Sequence, residues 1–225
     1  MRLYEATPDG PARGAVIVIQ EAFGVNEHIE DVTRRLAAAE YQAVAPDLFH
    51  RSGGGTAPYE DFTKALPFFE SLSDDVILRD VDAAIGHLHG AGWDDRQIGI
   101  VGFCFGGRVT FLASLRRALG AGVGFYGGGI VTARFAQFPP LVGEAGRLQT
   151  PWLGLFGDTD ESIPVADVER LRAALAAAPV GTEIVRYPGA GHGFHADPRP
   201  SYDEAAARDA WTRTLAWFEE HLKAA

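Results

Sequence analysis

The chain has 225 residues, 47% of them hydrophobic and 22% charged, with a formal net charge of −10. That balance belongs to a folded globular protein, and the length suffices to bury one sizeable core. The acidic surplus argues against a nucleic-acid-binding face, which needs clustered Lys and Arg, and the single cysteine excludes an intrachain disulfide framework.

Short apolar runs alternate with longer amphipathic stretches. Ala15 to Gln20 reads as a buried strand, and Ile29 to Glu40 carries Ile29, Val32, Leu36 and Ala39 at helical spacing. Gln42 to Ala45 is a second strand, stopped by Pro46. The stretch from Phe49 to Ser73 breaks the rhythm with Gly53-Gly54-Gly55, Pro58, Pro67 and the aromatics Phe62, Phe68 and Phe69. A helix follows from Asp74 to His89, then a strand from Gln97 to Val101 and a helix opening at Gly107. Strands at 121–126, 152–156 and 183–187 and helices at 165–178 and 202–222 complete the chain. Such alternation predicts a mostly parallel sheet covered by helices on both faces, as one domain over residues 1–225. In an open sheet of that kind ligands bind at the carboxyl ends of strands, where the excursion at 49–73 is expected to lie.

Cys104 stands in Gly102-Phe103-Cys104-Phe105-Gly106, between an apolar strand and a helix. A strand, a turn with glycines two places either side of a nucleophile, then a helix is the nucleophile elbow of α/β-hydrolases. The helix N-terminus carries partial positive charge and favours a thiolate. The plain alternative is a small apolar core residue.

A thiol nucleophile needs a base and the base an orienting carboxylate, in the chain order nucleophile, acid, histidine. Asp158 and Asp160 both stand just past the 152–156 strand, and His192 stands among glycines just past the 183–187 strand. Either aspartate might equally cap the next helix, so the residues alone leave the acid open between them. His195 reads as a surface or supporting group, and His28, His50, His87, His89 and His221 as surface or partly packed residues. The loop after the first strong strand supplies the second oxyanion-hole amide in this fold, which names Ala22 and Phe105 as backbone donors. Glu21 ends an apolar strand, where a carboxylate is costly unless paired, protonated or turned to solvent.

Several motifs taken together resemble the dienelactone hydrolase family. They are Gln20-Glu21 with Phe23-Gly24-Val25-Asn26, Ala45 to Phe49, Gly102 to Gly107, Gly157 to Asp160 with Ile163-Pro164, and Ala190 to Phe194. The resemblance implies a compact α/β-hydrolase with a cysteine, aspartate and histidine triad, falling on Cys104, Asp160 and His192. It implies that Glu21 contacts the resting thiol and keeps it neutral. It also implies lactone or ester hydrolysis through an acyl-enzyme, with no metal or organic cofactor.

Two departures bear on substrate. The family holds its substrate carboxylate with two arginines, one four places after the histidine, where this chain has Ala196. The other lies before the long helix, where this chain has Lys64 and no arginine between Arg51 and Arg79. The clamp is therefore absent or rebuilt, with Arg199 and Arg51 as the available replacements. The expected pocket is more apolar, lined by Phe23, Tyr59, Phe103, Phe105, Trp152 and Phe194, with Lys64 nearby. The alternatives are a general carboxylesterase or thioesterase acting on uncharged esters, and a non-catalytic binding module on the same fold. Met1 to Glu5 opens no signal-like run, and Ala15 to Ile19 is too short to span a membrane, so a cytoplasmic monomer or small homo-oligomer is expected.

Overall fold

The computed structural model describes residues 1–223. Seven strands form one sheet in the order β1-β3-β2-β4-β5-β6-β7. They are β1 (Leu3–Ala6), β2 (Ala15–Ile19), β3 (Gln42–Pro46), β4 (Ile98–Phe103), β5 (Ala121–Phe125), β6 (Trp152–Gly157) and β7 (Thr182–Tyr187). Only β1 runs antiparallel, pairing Leu3 with Pro46 and Ala6 with Ala43; the other six strands are parallel. The fold is that of an α/β-hydrolase. The sequence reading missed β1, a four-residue edge strand whose burial never falls into a continuous apolar run.

The helices are α1 (Glu27–Ala38), α2 (Leu66–Phe69), α3 (Asp74–Gly90), α4 (Phe105–Arg116), α5 (Val165–Leu175) and α6 (Glu204–His221). Three starts are capped by side chains: Asn26 accepts from the Ile29 amide, Ser73 from the Val76 amide and Asp203 from the Ala206 amide. Because successive strand side chains point to opposite faces, β2 and β4 feed two apolar clusters. Val16, Val18, Val101 and Phe103 join α1 and α6, whereas Ile17, Ile19, Ile98 and Ile100 join α3. Every residue of β2, β4, β5 and β6 is buried, as a parallel sheet covered on both faces requires.

The 49–73 excursion folds back over the carboxyl edge. The Ala57 amide donates to the Phe23 carbonyl oxygen at 3.1 Å, so this segment stands on the loop that follows β2. Its aromatics knit it down, Phe49 stacking on Phe68 at 4.7 Å and Tyr59 meeting Phe23 edge-on at 4.8 Å. No helix of the described residues is long and apolar enough to cross a membrane.

Candidate active site

β4 ends at Phe103 and α4 begins at Phe105, leaving Cys104 alone on the turn with φ 53° and ψ −113°. That conformation is strained for a residue with a Cβ and persists only where its surroundings enforce it. The flanking glycines are required by contact: a Cβ at Gly106 would lie 2.4 Å from the Ile19 carbonyl oxygen, and one at Gly102 would lie 2.2 Å from the Gly106 carbonyl oxygen. The Cys104 amide donates to the Phe125 carbonyl oxygen at 3.0 Å, tying the turn to β5.

Three strand ends deliver one line of side chains. Cys104 Sγ lies 3.1 Å from His192 Nε2, and His192 Nδ1 lies 2.6 Å from Asp160 Oδ2. Asp160 is buried, and its other oxygen accepts from the Ser162 amide at 2.9 Å and the Ser162 hydroxyl at 2.5 Å. Asp158 points elsewhere, into a two-pronged pair with Arg186 at 2.7 and 2.8 Å. The choice that the residues alone left open is thus separated by geometry.

The electrostatics of the line are mutual. Burial pushes the Cys104 thiol up, but the adjacent His192 more than offsets this and the thiol lies below its ordinary range. Burial pushes His192 down, but the charge of Cys104 and the bond to Asp160 raise it well above the usual histidine range. Asp160 is held low: burial pushes it up, but its bonds to His192 and Ser162 outweigh that. Each of the two groups therefore favours the charged form of the other.

The Ala22 and Phe105 amides stand at the turn after β2 and at the first residue of α4. Among the described residues neither donates to another backbone group. Ala22 and Phe105 border an aromatic cavity with Cys104, Phe69, Phe135 and Phe138. A wider cleft over Cys104 and His192 is walled by Phe23, Tyr59, Phe62, Arg134 and Arg199. Glu21 is fully buried and accepts from the Tyr59 hydroxyl at 2.8 Å and from Arg199 at 3.4 Å. Among the described residues the side-chain hydrogen bonds of Glu21 go to Tyr59 and Arg199 and that of the Cys104 thiol goes to His192, while the Glu21 charge still acts on the thiol.

Four expected pocket residues lie elsewhere. Trp152 is the first residue of β6, at the opposite edge of the sheet, buried against Phe111 at 5.0 Å with its indole N–H donating to Thr110 Oγ1 at 3.2 Å. Phe103 belongs to the α1 and α6 face, stacked on Phe125 at 4.7 Å. Phe194 is packed beneath Tyr126 and Tyr187. Lys64 is exposed and 3.9 Å from Asp61. Phe23 and Tyr59 do line the cleft.

His28 and His195 are both buried, not surface groups, with ring centroids 5.9 Å apart. Arg51 is committed to Asp80 by two bonds of 2.5 and 2.8 Å, which leaves Arg199 as the arginine at the cleft foreseen from sequence. Arg134 was missed, because it stands in the irregular segment between β5 and β6 and carries no motif. Tyr126 was also missed as a neighbour of the site: it is fully buried at φ 38°, with its ring 5.1 Å from that of His192 and its hydroxyl unpaired. Among the described residues no group of three or more His, Cys, Asp and Glu side chains is arranged to hold a metal ion.

A cysteine on a strained strand-to-helix turn at the carboxyl edge of a parallel sheet, faced by an acid and a histidine from later strands, is the arrangement of the α/β-hydrolase class. The family model described as the dienelactone hydrolase family matches residues 1–222, and the chain belongs to that family. It is 42% identical over 225 residues to a Salmonella typhimurium protein named "Putative carboxymethylenebutenolidase", covering 98% of this chain and 83% of that one. It is 35% identical over 212 residues to a Bradyrhizobium protein named "Probable 2-oxo-3-(5-oxofuran-2-ylidene)propanoate lactonase", covering 92% of this chain and 84% of that one. A crystal structure from Klebsiella pneumoniae titled as a "Putative Dienelactone Hydrolase" superposes with a TM-score of 0.88 at 40% identity, covering 97% of this chain and 92% of that one. The chain is accordingly a hydrolase of the lactone and carboxylic ester type.

Proposed function

We propose that the protein hydrolyses a lactone or carboxylic ester bearing a carboxylate, through a cysteine acyl-enzyme. The observation that carries this reading is the line from Cys104 through His192 to Asp160, at 3.1 and 2.6 Å, opening into a cleft walled by two guanidinium groups. The Cys104 thiolate attacks the carbonyl carbon, and the oxyanion is met by the Phe105 and Ala22 amides; such a donor is worth about 2.7–4 kcal/mol of barrier. His192 gives its proton to the departing enolate or alkoxide, then takes one from the water that attacks the thioester. Asp160 holds the ring in the required tautomer and stabilises the imidazolium. Sulfur is regenerated and the acid is released. Each of these steps uses this chain's own residues, within one domain.

Arg199 and Arg134 stand in for the missing clamp, and a planar guanidinium suits a carboxylate better than the ammonium of Lys64. Among the described residues Arg134 has no carboxylate partner; it donates only to the Ser162 carbonyl oxygen at 2.6 Å. The names of the relatives, carboxymethylenebutenolidase and lactonase, point to the same chemistry. The test is turnover of cis-dienelactone beside p-nitrophenyl acetate, in the wild type and Cys104→Ala. Dienelactone turnover that vanishes in the variant supports the reading. Cysteine-dependent turnover of the acetate alone favours a carboxylesterase for uncharged esters, and no cysteine-dependent turnover of either favours a binding module.

A further inference from the structure

Beyond the catalytic cleft the carboxyl edge holds a second cavity of about 310 Å³, between the segments that follow β5 and β6. Its inner wall is apolar and buried: Ile130, Phe156, Val168 and Leu171 are each at most 2% exposed. Its lip is polar, closed on one side by a bond of 2.8 Å between the Thr132 hydroxyl and Asp167. Arg134, Glu161 and Ser162 line both this cavity and the catalytic cleft, so the two spaces share one wall. Arg134 also borders the aromatic cavity beside Cys104, and thus stands where all three meet.

Gly127 and Gly129, soon after β5, line the chamber without side chains. A Cβ on Gly128 would lie 2.4 Å from the Arg134 guanidinium carbon, so any other residue there would displace that group. Within the shared wall Arg134 is an exposed long side chain, held by one bond to the Ser162 carbonyl oxygen.

We infer that this chamber is an acyl-chain subsite: it receives the hydrocarbon tail of a substrate whose carbonyl lies on Cys104, with Arg134 as the movable part of the shared wall. This deepens the hydrolase reading above and rests on it only for the position of the carbonyl. The occupant follows from continuity with the cleft, from the buried apolar wall and from the cation at the entrance. At roughly 30 Å³ per water-sized group, the chamber has room for about ten methylene-sized groups. Burial of each methylene tightens binding about fourfold. Such a substrate is longer than a bare lactone ring, and its hydrolysis releases a medium-chain acid.

The test uses calorimetric binding of butyrate, hexanoate and octanoate to the full-length protein, beside hydrolysis of p-nitrophenyl acetate, butyrate, hexanoate and octanoate. The variants are Thr132→Trp and Asp167→Phe, which obstruct the chamber at the lip where these two side chains meet and lie outside the residues that line the catalytic cleft. We expect affinity to rise about fourfold per methylene from butyrate to hexanoate. In both variants that gradient should flatten, while acetate turnover stays within about twofold. A gradient below about twofold per methylene, or one that both variants leave intact, overturns the proposal. A gradient abolished by both variants in a protein that turns over none of the esters would uphold the chamber and remove the hydrolase reading instead. Ester turnover without any gradient would do the reverse.

Discussion

The carboxylate of Glu21 and the guanidinium of Arg199 face each other across 3.4 Å, with Glu21 fully buried at the end of β2 and Arg199 at the cleft wall. Arg199 lies over the rings of Phe23 and Tyr59 at 5.8 and 5.4 Å, and Tyr59 itself donates to Glu21. A substrate carboxylate arriving at Arg199 would compete with Glu21 for the same guanidinium. Behind burial and His192, the charge of Glu21 also acts on the Cys104 thiol and pushes it up, because two negative charges disfavour each other, so the partner of Glu21 bears on that thiol. Arg199→Ala is expected to lower kcat/KM for a carboxylate-bearing lactone by about a hundredfold, mostly through KM, in line with truncation of one partner of a desolvated charge pair. p-Nitrophenyl acetate should lose far less. Equal losses on both substrates would mean that Arg199 supports the fold of the loop rather than the substrate.

The two aspartates after β6 provide a sharper test. Asp160→Asn removes the acceptor that fixes the His192 tautomer and should lower kcat by about 10⁴, with the fold retained. Asp158→Asn breaks a half-exposed pair with Arg186, worth about 0–1 kcal/mol, and should leave kcat within a few-fold. Steady-state kinetics and thermal melts of the two variants decide the matter; a larger loss of kcat in Asp158→Asn would reverse the assignment.

The reactivity of Cys104 should follow the ionisation of its pair with His192. The thiolate is lost as pH falls through the lowered thiol range, and the imidazolium as pH rises through about 10. Carbamidomethylation by iodoacetamide is therefore expected to stay fast below pH 7, where an ordinary thiol is protonated. His192→Ala should move that profile up towards the ordinary thiol range. An unchanged profile would disconnect the two groups.

Acid stability has a separate origin. His195 is buried against Phe103 at 5.2 Å with its Nδ1 unpaired, and burial pushes it down to about 3; His28 is lowered for the same reason. The unfolded chain takes up a proton near pH 6.5 that folded His195 does not. Stability is thus intact above about pH 6.5 and declines as pH falls towards 3, by at most about 1.4 kcal/mol per pH unit for this one group. His195→Phe should flatten that part of the profile in urea melts at pH 7, 5 and 4. A parallel decline in the variant would point to His28, lowered by burial in the same way, as the cause.

Cys104 and His192 were legible because glycines flank both where an ordinary run would pack. The parallel sheet was legible because both faces are buried and its strands read as apolar runs. The pocket was harder for the same reason. In a strand buried on both sides, composition does not tell which face or which end a ring occupies, so Trp152 and Phe103 passed for lining although one lies at the far edge and the other on the α1 and α6 face. Asp158 and Asp160 differ only in what they meet, an arginine from β7 or the imidazole. Arg134 belongs to an irregular segment where no periodicity marks direction. Its role depends on Gly128 beneath it, a contact between positions six apart in a stretch without helix or strand.

The strands that carry Cys104, Asp160 and His192 run parallel, so the connections that enter them, at 91–97, 149–151 and 179–181, lie at the other edge of the sheet, roughly 17–20 Å away. That edge is a place for handling the molecule: a linker to a solid support, a fluorophore or a fused partner attached there would leave the reacting end unobstructed. New chain ends opened at the exposed turn around Gly92 would likewise keep each of the three residues on its own strand.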